Sequence, residues 1–264
     1  MKSILFAASL VLINCSAREQ KPGQEKANLK TQYEIMEIDT PLIEVNEDYL
    51  LGMFDPTTHP DFVQVAKEHT TKPSAQLRKE TYTAFVKMHD AAKKDGISLV
   101  IVSATRNFYS QKGIWESKWT GGTKVSGMDL SVSVKDTVER AKYILLYSSM
   151  PGTSRHHWGT DIDINNLNDD YFLSGQGKKE YEWLTAHAHE YGFCQPYSKK
   201  GTDRETGYEE EKWHWSYMPI SDQLIQQYKQ KITYDRIKGF KGSGTGKVID
   251  VIKNYVCGIS AKCK

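Results

Sequence analysis

The sequence lacks any block or stripe of basic residues. Its 264 residues include 35 Lys and Arg against 33 Asp and Glu, which gives a formal net charge of +2. Nucleic-acid-binding domains concentrate positive charge on one face, so this composition argues against a nucleic-acid partner. With 39% hydrophobic and 26% charged residues, the chain has the composition of a globular protein rather than of a disordered one.

A hydrophobic run long enough to span a bilayer is also missing. The apolar run at residues 4–13 is too short for a transmembrane helix but suits the hydrophobic region of an export signal. Cys15 follows in the context Leu-Ile-Asn-Cys-Ser, which resembles a lipobox, although Asn14 stands where a small residue is usual. We therefore expect a signal peptide at 1–14, a lipid on Cys15 and a lipoprotein of the cell envelope that faces the periplasm or the cell wall. The alternative is a plain secretory signal cut slightly later.

Cysteines are few, and none are spaced as Cys-x-x-Cys. Besides Cys15 the chain has Cys194, Cys257 and Cys263, so the sequence argues against a zinc site built from cysteines. An exported protein can form disulfides, and three thiols allow one bridge with one thiol left over. The pairing stays open. A Cys257–Cys263 bridge would close a small loop, whereas Cys194–Cys263 would join the tail to the main body.

The chain divides into four segments by composition. After the signal peptide, residues 15–33 are polar and nearly free of apolar side chains, so we predict a lipoprotein-type tether. A folded domain is predicted over 34–218, and a helical extension that packs on it over 219–264. Helices and short strands mix without a βαβ rhythm or an internal repeat, which predicts an α+β fold.

Hydrophobic periodicity predicts the individual elements. Helices are expected at residues 74–94, 110–119, 135–148 and 178–191, and a buried strand at 97–102. Residues 160–164 (TDIDI) and 213–217 (WHWSY) alternate strictly between polar and apolar side chains. Alternation of this kind is typical of a strand with one face in the core and one face in a site. Asp161 and Asp163 would share the polar face of the first segment, and His214 and Ser216 that of the second.

Three separated blocks carry the residue types that metal-assisted hydrolysis needs. They are Ser-Ala-Thr-Arg at 103–106 with Gln111, the segment SRHHWGTDID at 154–163, and EKWHW at 211–215. A catalytic zinc takes three nitrogen or oxygen ligands and leaves one position open. The reaction also needs a general base and a positive group where negative charge develops. Glu211 lies three residues before His214, close enough for a base to reach the same water.

These blocks resemble the VanY-type zinc D-Ala-D-Ala carboxypeptidases and their D,D-dipeptidase and L,D-carboxypeptidase relatives. The family pattern is Ser-x-His-x-x-Gly-x-x-x-Asp and then Glu-x-x-His within Trp-His-Trp, preceded by Ser-x-x-Arg and Gln. All of it appears in order, within a likeness that covers roughly residues 42–218. The resemblance implies a small, mostly antiparallel sheet flanked by helices, which is the Hedgehog/DD-peptidase-like zinc peptidase fold.

The resemblance also implies a role for each matching residue. One Zn²⁺ per chain would be bound by His156, Asp163 and His214. Glu211 would be the general base, and Arg106 would stabilise the oxyanion or anchor the substrate carboxylate. Two further residues are expected to line the peptide site: Gln111 and Ser154.

Two neighbours compete with the expected ligands. Asp161 points to the same face as Asp163 and stands where the family usually has a small residue. It is an alternative ligand or a group that orients a ligating histidine, and the family spacing favours Asp163 as the ligand. His157 is next to His156, but neighbours on an extended segment point apart, so only one of them can face the metal.

The expected function is zinc-dependent hydrolysis of the terminal peptide bond of peptidoglycan stem peptides, of the D-Ala-D-Ala type, by a monomeric protein. An L,D-carboxypeptidase acting on tetrapeptide stems would use the same zinc, base and arginine, and it remains an alternative. A D,D-dipeptidase is less favoured because nothing obvious closes the site to long chains. A non-catalytic zinc-containing peptidoglycan-binding module is a third alternative, but the presence of both Glu211 and Arg106 argues against it.

Overall fold

The computed structural model describes residues 42–264. The predicted signal peptide (1–14), Cys15, the predicted tether (15–33) and the first residues of the predicted domain lie outside the described residues. Within 42–264, no helix combines the length and the apolar character that crossing a bilayer requires.

The described chain mixes short and long helices with short strands. The α-helices are α1 (Glu47–Leu50), α2 (Lys79–Lys94), α3 (Phe108–Trp119), α4 (Leu130–Ser133), α5 (Thr137–Ile144), α6 (Gly175–His187), α7 (Met218–Lys231) and α8 (Thr245–Ile249). Short 3-10 helices lie at Lys67–His69, Arg155–Trp158, Asp169–Leu173, Ala188–Tyr191, Tyr234–Arg236 and Ala261–Cys263, and a π-helix lies at Ile252–Val256. The strands are β1 (Phe62–Gln64), β2 (Gln76–Arg78), β3 (Ile101–Ser103), β4 (Asp161–Ile164), β5 (Phe193–Cys194) and β6 (His214–Tyr217).

The strands form two antiparallel sheets. β1 pairs with β2, and a four-stranded sheet has the order β3-β4-β6-β5, with every neighbouring pair antiparallel. One face of β4 and β6 is apolar, because Ile162, Ile164 and Trp215 are buried in the core. The predicted α+β class, with a small antiparallel sheet flanked by helices, is therefore confirmed.

Two helices begin where the sequence supplies a capping side chain. The Asn107 side chain accepts a hydrogen bond from the backbone N–H of Ser110 at the start of α3, and Asp136 caps the first turn of α5. Such caps satisfy backbone N–H groups that have no partner inside the helix. The predicted helix at 110–119 is confirmed with a start two residues earlier, whereas the helix predicted at 135–148 is shorter and ends at Ile144.

Two other predictions were partly wrong. The helix expected from residue 74 begins only at Lys79, because Gln76–Arg78 forms β2 and pairs with β1. The strand expected over 97–102 is limited to Ile101–Ser103. The backbone N–H of Val100 donates to the side-chain oxygen of Asn165 (2.6 Å) rather than to a neighbouring strand. The Val100 carbonyl accepts from the backbone N–H of Asn165 (2.8 Å), so one residue rather than a strand ladder satisfies the backbone of Val100.

The last 47 residues, from Met218 onward, share the hydrophobic core of the sheet. Leu224, Tyr228 and Val251 are fully buried within it. A disulfide joins Cys194, on β5, to Cys263 near the end of the chain, with a Cα–Cα distance of 5.7 Å, and Cys257 is a free thiol. Of the pairings that the sequence left open, the structure has Cys194–Cys263, which joins the tail to the main body.

Loss of this disulfide should destabilise the protein. The bridge spans 69 residues, and closing a loop of that size in the unfolded chain is worth about 4 kcal/mol in the chain-entropy model. We expect Cys263→Ser to lower the free energy of unfolding by about 2–4 kcal/mol, measured by denaturant titration. Cys257→Ser is the matched control, because it removes a thiol but no bridge. An equal, small effect of both substitutions would contradict the expectation.

Candidate metal centre and active site

The pairing of β4 with β6 brings two predicted metal ligands together. Asp163 on β4 lies directly opposite His214 on β6, and Asp161 lies opposite Ser216. Residues directly opposite on antiparallel strands project from the same face of the sheet. The polar faces predicted from the TDIDI and WHWSY patterns therefore form one continuous surface, on the side of the sheet away from the core.

His156 reaches this surface from the short 3-10 helix Arg155–Trp158. Gly159 ends that helix with a left-handed backbone (φ 73°) and lets the chain turn into β4. A side chain at Gly159 would also collide with the Phe62 ring, since a Cβ would lie 2.4 Å from it. Glycine at this position therefore allows the tight turn between the helix that carries His156 and β4.

Three side-chain atoms of the predicted ligands converge. Asp163 Oδ1 lies 3.3 Å from His156 Nε2 and 3.2 Å from His214 Nδ1, and the ligand atoms of all three residues lie within 4.8 Å of one another. Tetrahedral coordination at about 2.0–2.1 Å requires ligand atoms about 3.3 Å apart. The three residues are almost completely buried, so the arrangement is held by packing rather than by mobile surface groups.

Hydrogen bonds fix which imidazole nitrogens face the centre. His156 Nδ1 lies 2.8 Å from the Ala104 carbonyl and donates to it, which leaves the Nε2 lone pair directed at Asp163. His214 Nε2 lies 2.8 Å from Asp161 Oδ2 and donates to it, which leaves Nδ1 directed at Asp163 and Glu211. His156 Nε2 and Asp163 Oδ1 are buried and have no hydrogen-bond partner among the described residues. Lone pairs that converge in this way fit a bound cation.

The electrostatics of these residues favour positive charge at the centre. Burial disfavours a charged imidazole, yet the surrounding carboxylates of Asp161, Asp163 and Glu211 raise the pKa of His214 well above its usual value. Burial opposes ionisation of Asp163 as well, but the two histidines hold its pKa well below the usual range. The chain thus surrounds one point with negative charge, and a divalent ion would balance that charge.

Asp161 contacts a histidine rather than the centre itself. Its Oδ2 accepts from His214 Nε2 (2.8 Å) and from Arg155 Nε (3.0 Å), while Oδ1 accepts from the hydroxyls of Thr160 and Ser216 (both 2.8 Å). Asp161 is fully buried. Of the two roles that the sequence left open for Asp161, the geometry fits the orientation of His214.

His157 points away from the centre, as expected, but not for the expected reason. The segment is a 3-10 helix rather than an extended one. The His157 ring donates through Nδ1 to the Arg106 carbonyl (2.5 Å) and accepts at Nε2 from the Gly152 N–H (3.0 Å). Burial lowers the pKa of His157 to about 3, so the ring is a neutral structural group.

Glu211 is placed beside the three converging atoms by a turn. Its carbonyl accepts from the His214 N–H (3.3 Å), and its N–H donates to the Tyr197 carbonyl (3.0 Å). Glu211 Oε2 lies 3.2 Å from His214 Nδ1. Burial raises the pKa of Glu211 above its ordinary value, against the opposing effect of His214. A buried carboxylate of raised pKa is a stronger base than one in water.

Arg106 lies on the other side of the centre, just after β3. Its Nη1 donates to Ser103 Oγ (2.7 Å) and lies 3.6 Å from Asp163 Oδ2, and its Nε donates to Gln111 Oε1 (3.1 Å). Gln111 is itself fixed by a bond to the Ser149 carbonyl (2.8 Å). The Ser154 hydroxyl is buried and has no hydrogen-bond partner within residues 42–264. All of the residues that the sequence assigned to the site therefore lie together, except Cys15, which is outside the described residues.

These residues line a cavity of about 600 Å³. Several of its lining residues were not predicted to belong to the site: Lys118, Tyr147, Tyr197, Asp169 and Trp213. The position of Lys118 in the cavity could have been predicted from the sequence. Lys118 lies seven residues after Gln111 on α3, and positions i and i+7 share a helix face, so the face that carries Gln111 into the cavity also carries Lys118.

Comparison with known families gives a match over the same region. Residues 74–220 match the family model VanY, described as D-alanyl-D-alanine carboxypeptidase. YodJ of Bacillus subtilis is 31% identical over 206 residues, which cover 71% of this chain and 66% of that protein. A D-alanyl-D-alanine carboxypeptidase of Enterococcus faecalis is 29% identical over 133 residues, which cover 50% and 45%. The chain thus spans less than two thirds of either relative's length.

Solved structures show a more distant likeness. A mutant of the vancomycin-resistance D,D-pentapeptidase VanY, in complex with Zn(II), is 22% identical with a TM-score of 0.46, over 66% of this chain and 87% of that one. The LD-carboxypeptidase LdcB is 26% identical with a TM-score of 0.49, over 69% and 81%.

Proposed function

Since the chain belongs to the VanY D-alanyl-D-alanine carboxypeptidase family, we propose that it is a zinc-dependent carboxypeptidase of peptidoglycan stem peptides. It would hydrolyse the terminal peptide bond of stems that end in D-Ala-D-Ala. The observation that carries this proposal is the convergence of two imidazole nitrogens and one carboxylate oxygen beside a buried glutamate and an arginine, all in one cavity.

We propose His156, Asp163 and His214 as the ligands of one zinc ion. Two neutral imidazoles and one carboxylate are a donor set typical of catalytic zinc, which keeps a further position open. When bound, zinc supplies a Lewis acid that polarises a carbonyl and makes water more acidic at neutral pH. The hydrogen bonds of the two histidines to Ala104 and Asp161 hold their rings in the orientation that this role needs.

The remaining roles follow from where the side chains lie. Glu211 would accept the proton of the attacking water and return it to the leaving amine, because its carboxylate is buried beside the ligands. Arg106 is held close to Asp163 by Ser103 and Gln111, where its guanidinium would meet the negative charge that develops on the substrate. Gln111 and Ser154 would line the peptide site.

We further propose that the protein works at the cell envelope as a monomer. The apolar run at 4–13 followed by Cys15 supports export and a lipid anchor. An enzyme that trims stem peptides must meet peptidoglycan outside the cytoplasmic membrane. The mass of the amino-terminal peptide from a membrane fraction tests the anchor, and an unmodified mature terminus would contradict it.

Defined muropeptides test the substrate. We expect the protein to release D-Ala from pentapeptide stems, and a chelator to stop the reaction. Release of D-Ala from tetrapeptide stems alone would make it an L,D-carboxypeptidase, and release of the dipeptide D-Ala-D-Ala would make it a D,D-dipeptidase. Zinc binding without any product would indicate a non-catalytic module instead.

Asp161 should control the affinity for zinc without touching the metal. Asp161→Asn weakens the charged acceptor of the His214 N–H, and loss of such a partner typically costs about 10–100-fold in metal affinity. Chelator competition measures the change, with circular dichroism to confirm folding, because Arg155 loses its buried partner as well. Ser216→Ala is the matched control. It removes a hydrogen bond to Asp161 Oδ1 but keeps the Asp161 carboxylate as the acceptor of the His214 N–H. Wild-type zinc affinity in Asp161→Asn would refute the role.

A further inference from the structure

A second cation lines the cavity and forms no ion pair in the part of the chain that the structure describes. Lys118 lies on the same face of α3 as Gln111, and both line the cavity with Arg106. Lys118 Nζ donates to Ser148 Oγ (2.6 Å), and within residues 42–264 it forms no ion pair, although the charge of Glu211 favours its ammonium form. An ammonium group carries three N–H donors, so two of them are not used by this hydrogen bond. A half-buried lysine that forms no ion pair is suited to bind an anionic ligand.

Arg106, by contrast, is already engaged with the metal centre. Its Nε bonds to Gln111, and its Nη1 bonds to Ser103 and lies near Asp163. These contacts hold the guanidinium beside the predicted zinc ligands, where the oxyanion of the tetrahedral intermediate would form. A carboxypeptidase substrate brings a second negative group, its terminal carboxylate, which lies one residue beyond the cleaved bond. A guanidinium held beside the oxyanion leaves this carboxylate to be balanced by another cation of the cavity.

We propose that Lys118 binds the terminal carboxylate of the stem peptide, and that Arg106 serves the oxyanion. This inference rests on the proposed function. It divides between Lys118 and Arg106 the two roles that the sequence analysis considered for Arg106 alone. Ser148, which also lines the cavity, would hold the ammonium in place. Lys118 would therefore be the residue that restricts the enzyme to peptides with a free carboxyl end.

The test compares an acylated peptide that ends in D-Ala-D-Ala with the C-terminal amide of the same peptide. We expect the full-length wild-type protein to prefer the free acid strongly. Lys118→Met should lower kcat/KM for the acid by about 10–100-fold, which is the worth of one hydrogen bond to a charged group, mainly through KM. The amide should be cleaved at the wild-type rate, so the preference for the acid should disappear.

Lys112→Met is the matched control. Lys112 lies on the same helix but pairs with Glu116 outside the cavity (3.1 Å), so its loss should leave both substrates unaffected. If Lys118→Met lowers kcat/KM for acid and amide equally, or keeps the preference for the acid, the proposal is overturned.

A binding measurement separates this proposal from the proposed function. Calorimetry of acid and amide on the wild type and on Lys118→Met needs no turnover. If the wild type cleaves neither peptide, the proposed activity fails. Weaker binding of the acid alone to Lys118→Met would still support the carboxylate site, and unchanged binding of the acid would overturn it.

Discussion

Glu211→Gln should lower kcat by at least about 100-fold while zinc stays bound, because positioned general bases contribute about 10²–10⁴-fold. The amide keeps the size of the carboxylate but cannot accept a proton. The ligands lose little, because Glu211 contacts only one of them, at 3.2 Å from His214 Nδ1. Turnover of pentapeptide muropeptides and metal content are measured on the same preparation.

Glu210→Gln provides the control for this substitution. Glu210 is the adjacent carboxylate, pairs with Lys212 (3.0 Å) and does not line the cavity. It should keep full activity. Wild-type turnover in Glu211→Gln would refute the role of Glu211, and loss of zinc from that variant would mean that the glutamate is a ligand.

His214→Ala should lose the metal and, with it, all turnover. Two remaining ligands, His156 and Asp163, are too few for a catalytic zinc site, so zinc should fall from about one ion per chain towards none. The removed ring also leaves Asp161 without one of its hydrogen bonds, and the thermal transition should be measured alongside. His156→Ala should give the same loss of zinc from an independent element, the 3-10 helix.

His187→Ala is the control for both histidine variants. His187 lies on the surface of α6 and pairs with Glu190 (2.9 Å). It should bind zinc as the wild type does. Full zinc occupancy in a folded His214→Ala protein would contradict the proposed ligand set.

The polar faces of β4 and β6 could be predicted because strict alternation carries geometric information, whereas the roles of the site residues were implied by the resemblance to the VanY-type family. TDIDI and WHWSY each place polar side chains on one face of a strand, and those faces meet in the β4–β6 pair. The two patterns do not show how the two strands pair with each other. Only the register shows that Asp163, and not Asp161, lies opposite His214.

Predictions failed where distant contacts override local preference. Helical periodicity from residue 74 could not show that Gln76–Arg78 pairs with Phe62–Gln64. The apolar run at 97–102 predicts burial correctly, since Leu99 and Ile101 are fully buried. It could not show that the backbone N–H of Val100 donates to the side chain of Asn165 instead of to a neighbouring strand.

Lining residues of the cavity were largely beyond prediction, because a cavity is built by elements far apart in the chain. Tyr197 packs its ring 4.6 Å from that of His214, and Tyr147 lies 6.5 Å from Trp213, yet no local pattern marks either tyrosine. Lys118 is an exception, because its spacing from Gln111 on α3 places both side chains on the helix face that lines the cavity. The disulfide likewise depends on β5 and the chain end lying together.

X-ray absorption of the zinc-loaded protein tests the central claim most directly. We predict one zinc ion per chain, bound by two imidazole nitrogens and by oxygen at about 2.0–2.2 Å, without a sulfur shell at about 2.3 Å. A folded protein that takes up no zinc, or whose zinc has a sulfur ligand or fewer than two imidazoles, would contradict the claim.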